Sequence, residues 1–513
     1  MSNLSDIRKF NTQEHYLTLG GLFLAVSIAI FSVAVLLMAD TPLTYFLVLV
    51  LLVVTLIPVF IGIASKSFDI FELIYPISAI YFLYFGVRTL YILNFPADLH
   101  LMYWGHPPTI DFDIINLTLG YTIVGFVFLL IGYCSFIPKI MCKSLPRLRL
   151  LKSSLHGRGI VKKIYLIYAV GILFRLILLS RGLGLFMLPE GADLTFLNIM
   201  QVLSGFAIFG YALYSIWLFS SSKITKRKLI PWLVMLTIEA GWAFLSGWKG
   251  AFIPLVGIPL IAYHYLRQRL SIWRILLPAT VGILILIFVI FPVINAYRVI
   301  VWGEGPVVSV GEFLSHMGIV HDKLRGYSWS EFQQISLRPF MNRMVGLDSF
   351  SMILMKTPEA VDFQMGGTLR YFFIAWIPRV LWEEKPIIDI GRWFAVNFFN
   401  QPPGIENSMA IMNIGELYLN FHILGIILGM FFLGIIYKIA YLYFVKYGKA
   451  SAISVFLYIF VFFGLINIEG SIATIPVILL QTLFLLFLIS WFLKIKISGN
   501  HMGTGIARVE KVP

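Results

Sequence analysis

The sequence predicts an all-α, polytopic integral membrane protein with about twelve transmembrane helices and one large extracytoplasmic loop containing short helices. Three observations carry that expectation. The 513 residues are 59% hydrophobic and only 12% charged, whereas a soluble chain is charged at about one residue in four. The apolar residues fall in blocks of about twenty, the length that crosses roughly 30 Å of hydrocarbon as a helix. Basic residues collect in alternate connections between those blocks, as the positive-inside bias requires.

The blocks lie at approximately 18–38, 42–64, 70–93, 114–137, 161–180, 197–219, 229–246, 250–266, 275–296, 411–437, 451–468 and 472–493. Backbone amides left unpaired in lipid are too costly to survive, so runs of this kind must be helices. The run Lys139, Lys143, Arg147, Arg149, Lys152, Arg158, Lys162 and Lys163 contains no acid. Further basic connections follow at Lys223–Lys228, Arg267–Arg274 and Lys438–Lys449, then at Lys494 and Lys496. Placing all of these inside puts both termini in the cytoplasm and an even number of spans between them. The segments 94–113, 181–196, 298–410 and 467–471 then face outward. The domain plan is a bundle of nine spans over 1–297, the outer loop 298–410, three further spans over 411–493 and a cytoplasmic tail at 494–513. Helix-like stretches within the loop cover 347–357 and 368–382, the second too short to span and ended by Pro378.

The formal charge of +14 does not point to nucleic acid. The loop from Arg298 to Glu406 carries ten Lys/Arg and eleven Asp/Glu, so the basic excess belongs to the short connections. The first apolar block is too long for a signal-peptide core and lacks a small-residue cleavage site. Cys134 and Cys142 sit together near one end of the fourth span, a pattern that suggests neither a disulfide framework nor a metal site. His100, His106, His316 and His321 form no ligand spacing, so no metal and no cofactor is expected. No Walker A run, dinucleotide loop or nucleophile elbow is present.

Ionisable residues within spans are expensive unless they pair or line a cavity, which makes them the functional candidates. The topology places Arg88, Arg175, Arg181, Lys249, Arg298 and Glu416 at outer-leaflet depth, with Glu239 about mid-membrane. The loop adds Arg343, Asp348, Arg370, Arg379 and Lys385. For each there is a structural alternative: a terminal Arg snorkels to headgroups, Glu416 caps its own helix N-terminus, and Glu239 is a buried hydrogen-bonded group. Guanidinium groups bind phosphate bidentately, and a lipid diphosphate lies at that depth. The residues alone therefore reach as far as a protein handling an anionic lipid-linked molecule outside the membrane.

The stretch from about 240 to 437 adds a resemblance. Gly247-Trp248-Lys249-Gly250, Tyr297-Arg298, Ile377-Pro378-Arg379-Val380-Leu381-Trp382 with Lys385-Pro386, and Gly415-Glu416-Leu417-Tyr418 are similar to elements of the oligosaccharide repeat-unit polymerases, the Wzy-type, O-antigen-polymerase-like family. The resemblance implies a metal-independent membrane glycosyltransferase of the bacterial inner membrane. It would polymerise undecaprenyl-diphosphate-linked oligosaccharide repeat units into a surface polysaccharide, with a chain-length regulator as a possible partner. It would place Arg298, Arg343, Arg379, Lys249 and Arg175 on the diphosphate, and Glu416 as general base with Asp348 as the other candidate. An O-antigen-ligase-type transferase and a flippase for lipid-linked sugars are the alternatives. The flippase would spread charge through both leaflets, and here the charge is concentrated at one.

Overall fold

The computed structural model describes residues 41–100, 103–106, 111–146, 159–181, 194–246, 249–304, 309–374, 389–404 and 407–478, with isolated residues between and beyond them. These residues are helical and contain no strand. Among the described residues, eight helices are long and apolar enough to cross a membrane: Pro42–Ala64, Ile74–Asn94, Phe112–Cys134, Ile160–Ser180, Ile199–Phe219, Lys226–Leu245, Thr280–Val301 and Asn413–Tyr447. The blocks expected at 250–266 and 451–468 form shorter apolar helices, Phe252–Leu266 and Ala452–Leu465. The block at 18–38 and most of 472–493 lie outside the described residues.

The helix Pro42–Ala64 shows why a lipid-facing reading fits. Val48, Leu51 and Thr55 are buried along one stripe, while Leu43, Phe46, Val53 and Phe60 are exposed around the rest. A helix hydrophobic all round gains nothing by facing water, and hydrocarbon is the solvent that suits its outer face.

The chain divides into two compact units. Unit 1 is drawn from Met1–Ser135, Met341–Ile435 and Asn467–Thr474, and unit 2 from Phe136–Phe340, Ile436–Ile466 and Ile475–Pro513. The segment 298–410, expected as a single outer body, is thus shared between them. The helix Phe291–Glu304 carries Arg298 within it.

Close helix contacts in both units depend on glycine. In unit 1 a side chain at Gly132 would strike the Phe431 carbonyl, and one at Gly434 would strike the Leu129 carbonyl. The helices Phe112–Cys134 and Asn413–Tyr447 therefore meet backbone to backbone, as small residues permit in membranes. In unit 2 Gly171 and Gly210 do the same for Ile160–Ser180 and Phe206–Phe219.

Two irregularities shape unit 1. A wide turn of π-helix at Phe82–Val87 interrupts Ile74–Asn94 immediately before Arg88. The helix beginning at Asn413 is interrupted at Phe421 and His422, where φ is −141° and 54°. The segment 364–368 repairs the interruption. The Gln364 amide donates to the Leu419 carbonyl at 2.9 Å, and the Gly366 amide to Asn420 Oδ1 at 3.0 Å. Gly366 has φ of +90°, which only glycine adopts at no steric cost.

Candidate functional site

The polar centre of unit 1 is built from the ends of apolar helices. Arg88 is 1% exposed, and every one of its five N–H donors has an acceptor. Nε and Nη2 grip Asp348 at 2.9 Å each, and Nη2 also donates to the Asp98 carbonyl at 2.7 Å. Nη1 donates to Asn342 Oδ1 at 2.9 Å and to the Met341 carbonyl at 3.3 Å. Asp348 stands in the first turn of the helix Gly346–Lys356, and its Oδ1 also accepts the His100 amide at 3.1 Å. A buried pair is tolerable in low dielectric only with such complete hydrogen bonding.

His100 is held in this wall with φ of 56°. Burial keeps its imidazole below the usual histidine range, the Arg88 guanidinium pushing the same way and Asp348 opposing. Its Nδ1 has no hydrogen-bond partner.

One turn before Arg88, Tyr84 donates its hydroxyl to Glu469 Oε1 at 2.6 Å. Beside Asn342, Arg343 donates from Nη2 to Glu469 Oε2 at 2.8 Å. The Arg343 side chain is 56% exposed and that of Glu469 21%. The loop carrying Glu469 clasps the start of the Asn413 helix, whose amide donates to the Ile468 carbonyl at 2.9 Å. Two residues past Glu469, Ser471 Oγ donates to Glu416 Oε1 at 2.8 Å and the Ile472 amide to Oε2 at 2.7 Å. Glu416 is completely buried. It does not cap its own helix; it satisfies donors of the clasping loop. Asn420, one turn on, bonds Thr368 Oγ1 and the Glu416 carbonyl at 2.7 Å each.

An apolar groove of about 660 Å³ runs along the interrupted helix. Phe363, Leu369, Leu417, Leu424 and Leu428 line it. The His422 ring stands among the rings of Tyr418, Phe363 and Tyr121, with centroids 5.0, 5.5 and 6.4 Å away.

Of the described residues expected on the diphosphate, only Arg343 stands in this centre, together with the two candidate bases Glu416 and Asp348. Arg175 lies in unit 2, where it pairs bidentately with Glu239 at 2.8 and 2.9 Å. Its guanidinium carbon also lies 4.9 Å from the centroid of the Trp242 ring. That is the hydrogen-bonded structural option for Glu239. Arg298 is half-buried in its helix in unit 2. Lys249 opens a single turn of 3₁₀ helix in unit 2, and Arg379 lies outside the described residues. Among the described residues, no three His, Cys, Asp or Glu side chains converge as a metal ligand set.

The sequence reading singled out neither Tyr84 nor Glu469. The signal for Glu469 was available: it is the sole acid in the polar break Asn467-Ile468-Glu469-Gly470-Ser471, between two apolar blocks.

Residues 161–467 match the profile of a family described as a domain of unknown function, DUF8712. That is more than half of the chain. The protein belongs to the DUF8712 family. No curated protein and no solved structure gives a match. The DUF8712 stretch contains Arg175, Glu239, Arg298, Arg343, Asp348 and Glu416, and it stops two residues short of Glu469. Arg88 and Tyr84 precede it, so the polar centre of unit 1 draws on residues both inside and outside the DUF8712 match.

Proposed function

We propose that this protein is a membrane glycosyltransferase that polymerises undecaprenyl-diphosphate-linked oligosaccharide repeat units into a surface polysaccharide. In this reading the twelve expected spans lie in the bacterial inner membrane. Both termini are cytoplasmic, and the segment 298–410 is extracytoplasmic. The observation that best supports it is the polar centre of unit 1. Its charges are gathered at the ends of candidate spans, and after the buried pairing is complete Arg343 still presents an exposed guanidinium. A lipid-linked diphosphate arriving from the bilayer brings its anion to such a depth, and a fork of N–H donors suits it. The leaving group is the lipid diphosphate, so fixed positive charge there stabilises the charge that develops in the transition state. The groove along the interrupted helix is apolar, as an isoprenoid chain requires.

The test is genetic and then chemical. Deleting the gene in its source strain should abolish the polymer and accumulate single lipid-linked repeat units. Those lipids, extracted and supplied to the purified protein in liposomes, should be joined into longer chains. The reaction should survive EDTA, because no residue set was expected to hold a metal. Unaltered polymer in the deletion strain, or no joining by the wild-type protein, overturns the reading. Restoration of an EDTA-treated sample by Mg²⁺ alone moves the chemistry to a metal-dependent class.

A further inference from the structure

Glycosyl transfer to a sugar hydroxyl needs a carboxylate with a lone pair to spare and a route to the acceptor. The two acids expected from the sequence do not meet that requirement. Glu416 has no exposed surface, and its oxygens accept from Ser471 and Ile472. Asp348 gives both oxygens to Arg88 and one of them also to the His100 amide.

Glu469 differs from Glu416 in exposure, and from Asp348 both in exposure and in the number of bonds its oxygens accept. A carboxylate has about four lone-pair sites, and Glu469 commits one on each oxygen, to Tyr84 and to Arg343. It remains partly exposed, so its uncommitted lone pairs have access to the surface. Its partner Arg343 is the exposed cation of the same centre. The carboxylate is oriented at one oxygen by a phenol and at the other by a guanidinium whose remaining donors are available. Base and anion clamp therefore stand side by side, 2.8 Å apart.

Resting on the polymerase reading above, we propose that Glu469 is the general base of the transfer and Arg343 the group that meets the leaving diphosphate. Glu469 takes the proton from the acceptor sugar hydroxyl as that oxygen bonds to the donor's anomeric carbon. The bond from that carbon to the diphosphate oxygen breaks, and its electron pair stays on the diphosphate, opposite Arg343. The protonated Glu469 then gives its proton to water. Tyr84 is a positioning residue, holding the carboxylate in one orientation.

The experiment uses full-length protein in liposomes, with lipid-linked repeat units extracted from the deletion strain. Undecaprenyl diphosphate serves as a separate binding probe. Glu469→Gln keeps the side-chain shape, so insertion and probe affinity should match the wild type, while turnover should fall by about 10²–10⁴-fold, the usual contribution of an acid–base group. The wild-type rate should decline on the acid side as a carboxylate protonates, and the residual rate of Glu469→Gln should lose that limb, which a merely structural role would not alter. Arg343→Ala should instead weaken probe binding. If Glu469→Gln compromises folding, Glu469→Asp takes its place. That variant keeps the charge at shorter reach, so reduced turnover with the acid limb retained supports the assignment. Unchanged turnover in either folded variant overturns it. A wild-type protein that joins no lipid-linked units is a separate failure, recognised before any variant is assayed, and it removes both the polymerase reading and this inference.

Discussion

Each unit of the molecule contains a buried, bidentate arginine–carboxylate pair, and the two are built differently. In unit 1 Arg88 reaches Asp348, two backbone carbonyls and an amide side chain, so all five donors are satisfied. In unit 2 Arg175 makes its two bonds to Glu239, leaves Nε without a partner, and rests on the face of Trp242. The first pair ties together residues 88, 98, 341, 342 and 348 and so fixes the wall on which Tyr84 and Arg343 are mounted. The second joins one helix, Ile160–Ser180, to one other, Lys226–Leu245. A buried pair is thus a node in one unit and a rivet in the other, and bond number distinguishes them better than burial does.

The largest expected effect follows from removing the node. Arg88→Ala leaves Asp348 charged and buried with only the His100 amide as a partner, and breaking a buried pair in this way destabilises by about 3–5 kcal/mol. Arg175→Ala should fall at or below the lower end of that range, because fewer acceptors are orphaned. Thermal unfolding of the purified variants in one detergent checks the order. Equal losses, or a larger loss for Arg175→Ala, would break the distinction.

Lysine replacement sharpens the same comparison at lower amplitude. An ammonium cannot reproduce a planar fork, and at position 88 it must forgo several of five separate acceptors. Arg88→Lys should therefore unfold at a lower temperature than Arg175→Lys, with each milder than its alanine counterpart. A lysine tolerated at 88 as well as at 175 would mean that charge alone sustains the wall.

The smallest effect is a pH dependence peculiar to unit 1. His100 is held below the usual histidine range chiefly by burial. Its unfolded form therefore binds a proton before its folded form does. Stability attributable to this group is present above the ordinary histidine range, about 6.5, and is lost as pH falls from there toward the folded value. His100→Gln should flatten that part of the stability profile, measured by melting temperature across the range. An unchanged acid slope would assign it to other groups.

Eight apolar helices long enough to cross a membrane, among the described residues, were legible because hydrocarbon imposes a length and forbids unpaired amides, and both constraints are written in composition. The candidate charges were legible for the same reason, since a lone Arg88 or Glu416 among apolar neighbours demands an explanation. Their partners were not. Arg88 and Asp348 are 260 positions apart, and nothing local announces the pairing. The break at Phe421 and His422 was equally hidden, since Asn420-Phe421-His422-Ile423 contains no glycine or proline. It depends instead on hydrogen-bond partners supplied by residues 364–368. Glu469 was overlooked because it sits in a five-residue turn, where an acid ordinarily does no more than meet water.

The repair of that break has a consequence for how such sequences can diverge. Most surface loops absorb insertions and deletions freely. The segment 364–368 cannot, because its amide at 364 donates to the Leu419 backbone carbonyl, its amide at 366 donates to the Asn420 side-chain oxygen, and both must arrive in register. The turn at 467–472, whose carbonyl at 468 and amide at 472 meet Asn413 and Glu416, is under the same restriction. Relatives that keep this architecture should vary in length at other loops, while these two short stretches hold their spacing even where their side chains change.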